Sequence, residues 1–457
     1  MAQNRERLRV YGCWVAATVG AAAIVCIFQP GYMSADSLHQ LRHARAGQYL
    51  SYYAPVMGWI WGLLDRVAPG PFGMLVLQNA IFWSGLALIA SVAIRSAWAP
   101  AAVLAIGFYP SVLAELGTVW KDVHLCAALV LSTGLLLLAV RRRDARVLAM
   151  ALVALWYANA MRANALPAIL PLAILSGLVL VDLIRPGARA WIGIFAGLLL
   201  TVAVVLVTWV ADNVMLRAIP GPPFQAPLVH DLVAISVATG HNQVPLFMFP
   251  PGGPLTPERA AAAYLPETLD PLFFGSNPFR QTSDPAELAA LKRRWFEAIR
   301  DHPRAYLAHR MRLFGTLLGI GQPGVWYPYH AQIDSNELGI TMRRSTLNLR
   351  VMELLDSVRN QVFFRAWIHL AICAGLLVGC LAFRRSSFAA ALAASAILYA
   401  LPYSMIAPAP DFRYLWWPVV ATLLAAVCAP ARIALRSGVE RTVDHSPADL
   451  RDHPISL

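Results

Sequence analysis

The sequence predicts an all-α polytopic membrane protein with about ten transmembrane helices. Of its 457 residues, 58% are hydrophobic and 14% are charged, against roughly 45–50% apolar and about 25% charged residues in soluble domains. The apolar residues also gather in long stretches without charges, and a helix needs about 20 such residues to cross a bilayer core of about 30 Å. A soluble fold could not bury this much apolar surface.

Nine apolar stretches have the length of a membrane span, and we expect a shorter tenth, 147–161, to span with a flanking arginine at the membrane edge. The first stretch is long and lacks a cleavage site, so we interpret it as a retained helix and not as a signal peptide. The ten stretches are 10–29, 67–94, 96–114, 123–140, 147–161, 163–181, 190–211, 366–383, 387–410 and 414–431.

The arginines predict the orientation of these helices. If the amino terminus is cytoplasmic, the short inner segments are rich in arginine, whereas the short outer turns carry only Lys121, Arg162 and Arg413. This is the positive-inside pattern, and an even number of spans puts both termini in the cytoplasm. The inner arginines are Arg5, Arg7, Arg9, Arg95, Arg141, Arg142, Arg143, Arg146, Arg185, Arg189, Arg384, Arg385, Arg432 and Arg436. Abundant alanine and scarce lysine favour a bacterial source, and therefore the inner membrane.

The stretches divide the chain into four parts. Residues 1–211 form an N-terminal module of about seven helices, whose first outer loop, 30–66, has an apolar segment that we expect to lie at the interface or to re-enter. Residues 212–365 form an extracytoplasmic region of loops and helices, one of them starting at Pro285 and ending near His302. Residues 366–436 hold three more spans, and residues 437–457 form a polar cytoplasmic tail.

Ionisable residues cluster at the outer ends of the predicted spans. A charge at mid-bilayer costs about 2.5 kcal/mol or more on insertion scales, so charges beside spans suggest a function. Four separate outer turns carry them, which predicts a polar cavity that opens outward at the lipid boundary. They are Asp36, Glu115, Lys121, Asp122, Arg162, Asp411 and Arg413, accompanied by Asn159 and Asn164.

These residues stand in short motifs that resemble the GT-C class of membrane glycosyltransferases, which includes protein mannosyltransferases and aminoarabinose transferases. The motifs are Pro-Gly-Tyr-Met-Ser-Ala-Asp-Ser at 30–37, Gly-Gln-Tyr at 47–49, Tyr-Ala-Pro at 53–55, Trp-Lys-Asp at 120–122, Arg-Ala-Asn at 162–164 and Asp-Phe-Arg-Tyr at 411–414. The chain departs from the class in two places. Asp36 has no acidic neighbour before Asp65, and Ala54 precedes Pro55 where many members have histidine.

The resemblance implies an inverting transferase that takes a sugar from a polyprenyl-phosphate donor and gives it to a lipid, glycan or protein acceptor of the cell envelope. Such chemistry needs a base for the acceptor hydroxyl and cations for the departing phosphate. We expect Asp36 to be the base, and Lys121, Arg162 and Arg413 to bind the phosphate. The supporting residues are Asp122, Asn164, Asp411 and Tyr414. The sequence indicates no metal ligand set, which leaves metal dependence open, and it indicates no nucleic-acid partner.

Each residue also has a structural interpretation. Asp36 could cap a helix starting near Ser37, Lys121 and Asp122 could form a local ion pair, and Arg162 and Arg413 could snorkel to the headgroups. For the whole chain, the alternatives are a transporter or flippase of a lipid-linked anion and a noncatalytic scaffold. The absence of repeated halves and the position of the charges at one membrane face disfavour transport.

Overall fold

The computed structural model describes residues 2–220, 225–276, 278–321, 325–383 and 386–430, and all regular structure in these ranges is helical. The predicted inner arginines Arg384, Arg385, Arg432 and Arg436 and the tail 437–457 lie outside the described residues. Four isolated β-bridges join loops, and no strand forms in the described ranges. The all-α prediction is confirmed for this part of the chain.

Ten α-helices lie between residues 2 and 220. They are α1 (Ala2–Phe28), α2 (Ala35–Arg45), α3 (Pro55–Asp65), α4 (Phe72–Ala93), α5 (Ala99–Gly107), α6 (Pro110–Leu116), α7 (Lys121–Arg142), α8 (Ala145–Met161), α9 (Leu166–Ile184) and α10 (Ala190–Trp209). A π-helical turn, Val210–Met215, extends α10. The 11-residue α3 is about 16 Å long at 1.5 Å per residue, too short to cross the bilayer core, as expected of an interfacial segment.

The second half carries the loop region and the last helices. They are α11 (Ala226–Thr239), α12 (Pro257–Ala262), α13 (Asp270–Phe273), α14 (Pro285–Asp301), α15 (Pro303–Leu317), α16 (Thr346–Val358), α17 (Ala366–Ala382), α18 (Ser387–Ala400), α19 (Tyr403–Ile406) and α20 (Trp416–Cys428). The predicted helix start at Pro285 is confirmed, since Asp284 caps it by accepting the Ala286 amide.

Within the described ranges, six helices are long and apolar enough to cross a membrane: Gln3–Phe28, Phe72–Ala93, Lys121–Arg142, Leu166–Ile184, Ala190–Met215 and Ser387–Ile406. The pair α5 and α6 makes a seventh if it counts as one broken span. The apolar helices Ala145–Met161, Ala366–Ala382 and Phe412–Cys428 are shorter. Each of the ten predicted stretches therefore contains helix, but a total of ten spans stays a prediction.

The prediction of one continuous helix over 96–114 is wrong. The chain bends by 65° between α5 and α6. Pro110 starts α6, and the preceding Tyr109 has ψ 130°, outside the helical region. Proline lacks an amide hydrogen and pushes the residue before it toward extended geometry, which accounts for the break.

The helices form a bundle with one large core and a second, smaller core in the loop region. Within the bundle, α4 packs on α1 and α7, α7 on α8, α9 on α10 and α18, and α18 on α17 and α20. The smaller core joins α11, α14 and neighbouring loops through residues such as Leu232, Met248 and Leu291. We call the end of the bundle that carries segments 30–66 and 212–365 the loop end.

Candidate functional site

Backbone pairing brings the segment before Asp36 to the segment before Lys121. The Tyr32 amide donates to the Gly117 carbonyl at 2.9 Å, and the Val119 amide donates to the Tyr32 carbonyl at 3.0 Å. Gly31 allows this approach because its φ of 115° lies in the left-handed region that favours glycine. The two motifs that the sequence separates by more than 80 residues are therefore neighbours.

Asp36 lies in the first turn of α2 and does not cap that helix. The cap position belongs to Ser34, whose side chain makes no capping hydrogen bond. One Asp36 carboxylate oxygen lies 3.2 Å from Nη2 of Arg413, and 41% of the side chain is exposed. The capping interpretation of Asp36 is therefore wrong, and its carboxylate is accessible.

Arg413 lies at the centre of the site, in the turn Phe412–Leu415. Its Nε is 2.7 Å from a carboxylate oxygen of Asp411, and its guanidinium lies 4.3 Å from the ring centroid of Trp120. Asp411 also accepts the Arg413 backbone amide at 3.3 Å, which fixes the start of the turn. Only 12% of the Arg413 side chain is exposed. A snorkelling arginine would expose its head, so that interpretation fails.

Arg162 follows α8 and belongs to a second group of side chains that are joined by an ion pair and hydrogen bonds. It forms an ion pair with Asp122, and its Nε donates to Asn164 at 2.9 Å. Asn164 in turn donates to the Tyr403 hydroxyl at 2.9 Å. The Arg162 side chain is 13% exposed and that of Asp122 is 2% exposed. Arg162 is therefore held inside the protein and does not snorkel either.

Lys121 does not pair with its neighbour Asp122, because adjacent residues of a helix point in different directions. Its ammonium instead donates to the Tyr52 carbonyl at 3.3 Å and lies 5.0 Å from the centroid of the Tyr52 ring. It forms no ion pair with any carboxylate in the described ranges. Lys121 is therefore held by the carbonyl and ring of Tyr52 and not by a direct ion pair.

A cavity of about 690 Å³ joins these groups at the loop end. This is the size range of small-molecule sites, roughly 300–1,000 Å³. Glu115, one of the charges predicted beside this cavity, is fully buried and is not part of the lining. All but one of the eight residues with an expected catalytic, phosphate-binding or supporting role line the cavity: Asp36, Lys121, Asp122, Arg162, Asn164, Arg413 and Tyr414. The exception, Asp411, lies outside the lining and pairs with Nε of Arg413. The predicted convergence on one cavity is thus observed.

The cavity also contains groups that the sequence reasoning did not single out, among them Tyr52, Thr208 and Asp212. Asp212 could have been found, because it is the first charged residue after the apolar stretch 190–211. Tyr52 and Thr208 carry no comparable signal. Leu166, Val205, Ile406 and Pro408 add an apolar part to the lining.

The electrostatics of the cavity keep Asp36 ionised. Burial raises the pKa of this carboxyl, but the nearby cations, Arg413 first and then Lys121 and Arg162, outweigh burial and hold the pKa below its ordinary value. Asp36 is therefore a carboxylate at neutral pH and can accept a proton. The described residues contain no group of three or more His, Cys, Asp or Glu side chains placed to hold a metal ion.

Comparison with known proteins leaves the chain without an assigned family. No family model, curated protein or solved structure matches it.

Proposed function

We propose that the protein is a membrane glycosyltransferase that moves a sugar from a polyprenyl-phosphate donor to a cell-envelope acceptor. The observation that carries the proposal is the meeting of an accessible carboxylate, Asp36, with three cations, Lys121, Arg162 and Arg413, around one cavity. This is the set of groups that the reaction needs. The bacterial inner membrane and an extracytoplasmic site belong to the same proposal. The first rests on abundant alanine and scarce lysine, and the second on the arginine distribution.

The cations stabilise the leaving group. Lys121 is the first candidate to bind a phosphate oxygen, because no described carboxylate forms a direct ion pair with it. Arg413 adds a planar guanidinium that can donate two parallel hydrogen bonds to phosphate, and its orientation is fixed by Asp411 and Trp120. Preorganised cations of this kind stabilise the charge that develops on the phosphate as the glycosidic bond breaks.

Asp36 acts as the general base. The acceptor hydroxyl oxygen attacks the anomeric carbon, the bond from that carbon to the phosphate oxygen breaks, and polyprenyl phosphate leaves with the electron pair. The hydroxyl proton passes to Asp36, which is ionised and 41% exposed. A single displacement of this kind inverts the anomeric configuration.

The surroundings of the cavity fit a lipid-linked donor. Val205 of α10 lines the cavity and is 41% exposed, and α10 continues with exposed apolar residues that suit contact with lipid chains. These are Trp191, Ile194, Phe195, Leu198, Leu199 and Val202. All described lining residues lie at the loop end, which favours transfer at one face over transport across the bilayer.

Asp36→Asn tests the proposal. The amide keeps the shape of the side chain but cannot take a proton, so we expect sugar transfer to fall by roughly 100- to 10,000-fold. Donor binding should persist, because the cations remain. The measurement is steady-state transfer by purified protein with a polyprenyl-phosphate sugar and envelope extract, together with thermal stabilisation by the donor.

Asp65→Asn is the matched control. Asp65 belongs to the same loop and also pairs with an arginine, Arg45, at 2.8 Å, but it does not line the cavity. We expect this variant to transfer sugar as the wild type does. Undiminished transfer by Asp36→Asn, or an equal loss in both variants, would refute the role of Asp36.

A further inference from the structure

One wall of the cavity differs chemically from the cation wall. It is formed by the ends of α8 and α10, where the Asn159 amide donates to the Thr208 hydroxyl at 2.8 Å. Val205, Thr208 and Asp212 all line the cavity. They are spaced three and four residues apart, which puts them on one helical face. This wall offers neutral polar groups and one acid.

Asp212 is the acid without a partner. Within the residues that the structure describes, it forms no ion pair, and its Oδ1 atom is buried without a hydrogen-bond partner. The other cavity acids, Asp36 and Asp122, each contact an arginine. Buried carboxylate oxygens almost always accept hydrogen bonds. Because Asp212 also lines the cavity, its carboxylate is placed to accept them from a bound ligand.

The local backbone supports a special role for this position. Asp212 stands in the π-helical turn Val210–Met215 that extends α10, and π-turns occur frequently at functional sites. The Ala218 amide donates to the Asp212 carbonyl at 2.8 Å, which ties the turn to the chain that follows. The carboxylate is thus presented from an ordered element.

We infer that Asp212 recognises the donor sugar by accepting hydrogen bonds from its hydroxyls. This inference rests on the proposed function. Phosphate carries negative charge and would be repelled by Asp212, so the group at this wall must donate hydrogen bonds. A sugar joined to a phosphate that Lys121 and the arginines hold lies in the same cavity, and its hydroxyls are donors that two carboxylate oxygens can share. Asp212 therefore determines which sugar is transferred.

The test compares lipid phosphates with and without a sugar. The probes are bare polyprenyl phosphate and polyprenyl phosphates carrying a hexose, a pentose or an amino sugar, with binding affinity measured on purified protein. In the wild type we expect at least one sugar to bind more tightly than the bare lipid. Asp212→Ala should reduce that gain by roughly 10- to 100-fold, the value of hydrogen bonds to a charged group, and should leave the bare lipid unaffected.

Two more variants make the result specific. Asn213→Ala changes the next residue of the same turn, which is exposed and lies outside the cavity lining, and should bind every probe as the wild type does. Asp212→Asn retains an oxygen that accepts hydrogen bonds from sugar hydroxyls. This variant should therefore keep part of the affinity that the sugar adds.

The outcomes separate this inference from the proposed function. If Asp212→Ala loses affinity equally for the bare and the glycosylated lipid, Asp212 has a structural role. If the sugar still increases the affinity as much as in the wild type, Asp212 has no role in binding it. Either result overturns this inference and leaves the proposed function standing. If only the amino sugar gains affinity and Asp212→Asn loses all of that gain, the recognised group is an ammonium and the hydroxyl assignment is wrong. If the wild type binds no lipid phosphate, the proposed function fails and this inference fails with it.

Discussion

At the scale of single residues, Arg413 connects the acids of the site with its aromatic rings. Its guanidinium contacts Asp411, Asp36 and the rings of Trp120 and Tyr414. These contacts use its planarity, its several donors and its charge together. A lysine offers a compact charge on a flexible stem and cannot stack and pair in this way. The geometry therefore makes the exchange of arginine for lysine a sharp test.

We predict that Arg413→Lys lowers transfer at least 10-fold and weakens donor binding, while the amount of folded protein stays near normal. One lost charge-assisted hydrogen bond is worth roughly 1.5–3 kcal/mol, which corresponds to about 10- to 150-fold. The measurement is transfer against donor concentration for the wild type, Arg413→Lys and Arg413→Ala in matched detergent preparations.

Arg365→Lys is the control for this prediction. Arg365 also lies over a tryptophan ring, that of Trp326, at 5.8 Å, but it does not line the cavity. Transfer per folded molecule should be unchanged in this variant. If lysine serves as well as arginine at position 413, the phosphate role of Arg413 is wrong.

The sequence could reveal the charged residues of the site but not their pairing. Asp36, Lys121, Arg162 and Arg413 were recognisable because charges beside apolar stretches are costly. The partners were not recognisable. Lys121 donates to the Tyr52 carbonyl, and Asp122 pairs with Arg162. These contacts depend on the directions of the side chains on the helix and on tertiary packing.

At the scale of helices, close packing of α9 against α10 positions the wall that carries Asp212. Gly177 and Gly197 face each other across this contact, and a Cβ on Gly197 would lie 2.4 Å from Cα of Ile174. Small residues allow two membrane helices to approach this closely. The packing therefore depends on the absence of a side chain at position 197.

We predict that Gly197→Ala lowers the melting temperature and reduces transfer. The added methyl must displace backbone and not a flexible side chain, and such overpacking costs roughly 1–3 kcal/mol. Thermal unfolding in detergent, followed by transfer assays at a temperature where both proteins stay folded, measures the two effects.

Gly375→Ala supplies the comparison. This glycine lies in α17, and a Cβ there would meet nothing within 4 Å. Because alanine favours helix over glycine, its melting temperature should stay equal or rise slightly. A Gly197→Ala variant as stable and active as Gly375→Ala would contradict the packing argument.

The sequence predicted where the helices lie along the chain, but not how they bend or pack. Hydropathy located helix in all ten stretches because the apolar composition is strong. The bend between α5 and α6 was missed although Pro110 signalled it, since a hydropathy window counts apolar residues without regard to proline geometry. Which helix ends meet, and so which charges share a cavity, depends on packing that a single sequence does not display.

At the scale of the whole molecule, the loop region holds the two halves of the site together. Ile333 bridges to Met33, close to Asp36, and Tyr327 bridges to Asp411, close to Arg413. One segment thus contacts the chain beside both Asp36 and Arg413. The bridged positions are 300 and 84 residues apart in the chain. Contacts over such separations leave no local pattern, so this arrangement could not be predicted from the sequence.

A second contact joins the loop core to the same region. Arg310 of α15 pairs with Asp231 of α11 at 2.7 Å, and its Nη1 donates to the Ala407 carbonyl at 2.9 Å. The loop region therefore supports the turn that leads to Arg413. We interpret it as a scaffold of the site, which fits a fixed reaction centre at one end of the bundle.

The most direct test of the central claim is whether the purified protein changes the donor covalently. In detergent micelles no compartments exist, so a transporter leaves a polyprenyl-phosphate sugar intact, whereas a transferase converts it to polyprenyl phosphate and glycosylated acceptor. With envelope extract as acceptor and mass spectrometry of the lipids, we predict conversion by the wild type and loss of conversion with Asp36→Asn. A wild type that leaves the donor unchanged in micelles but moves it across the bilayer of proteoliposomes would contradict the account.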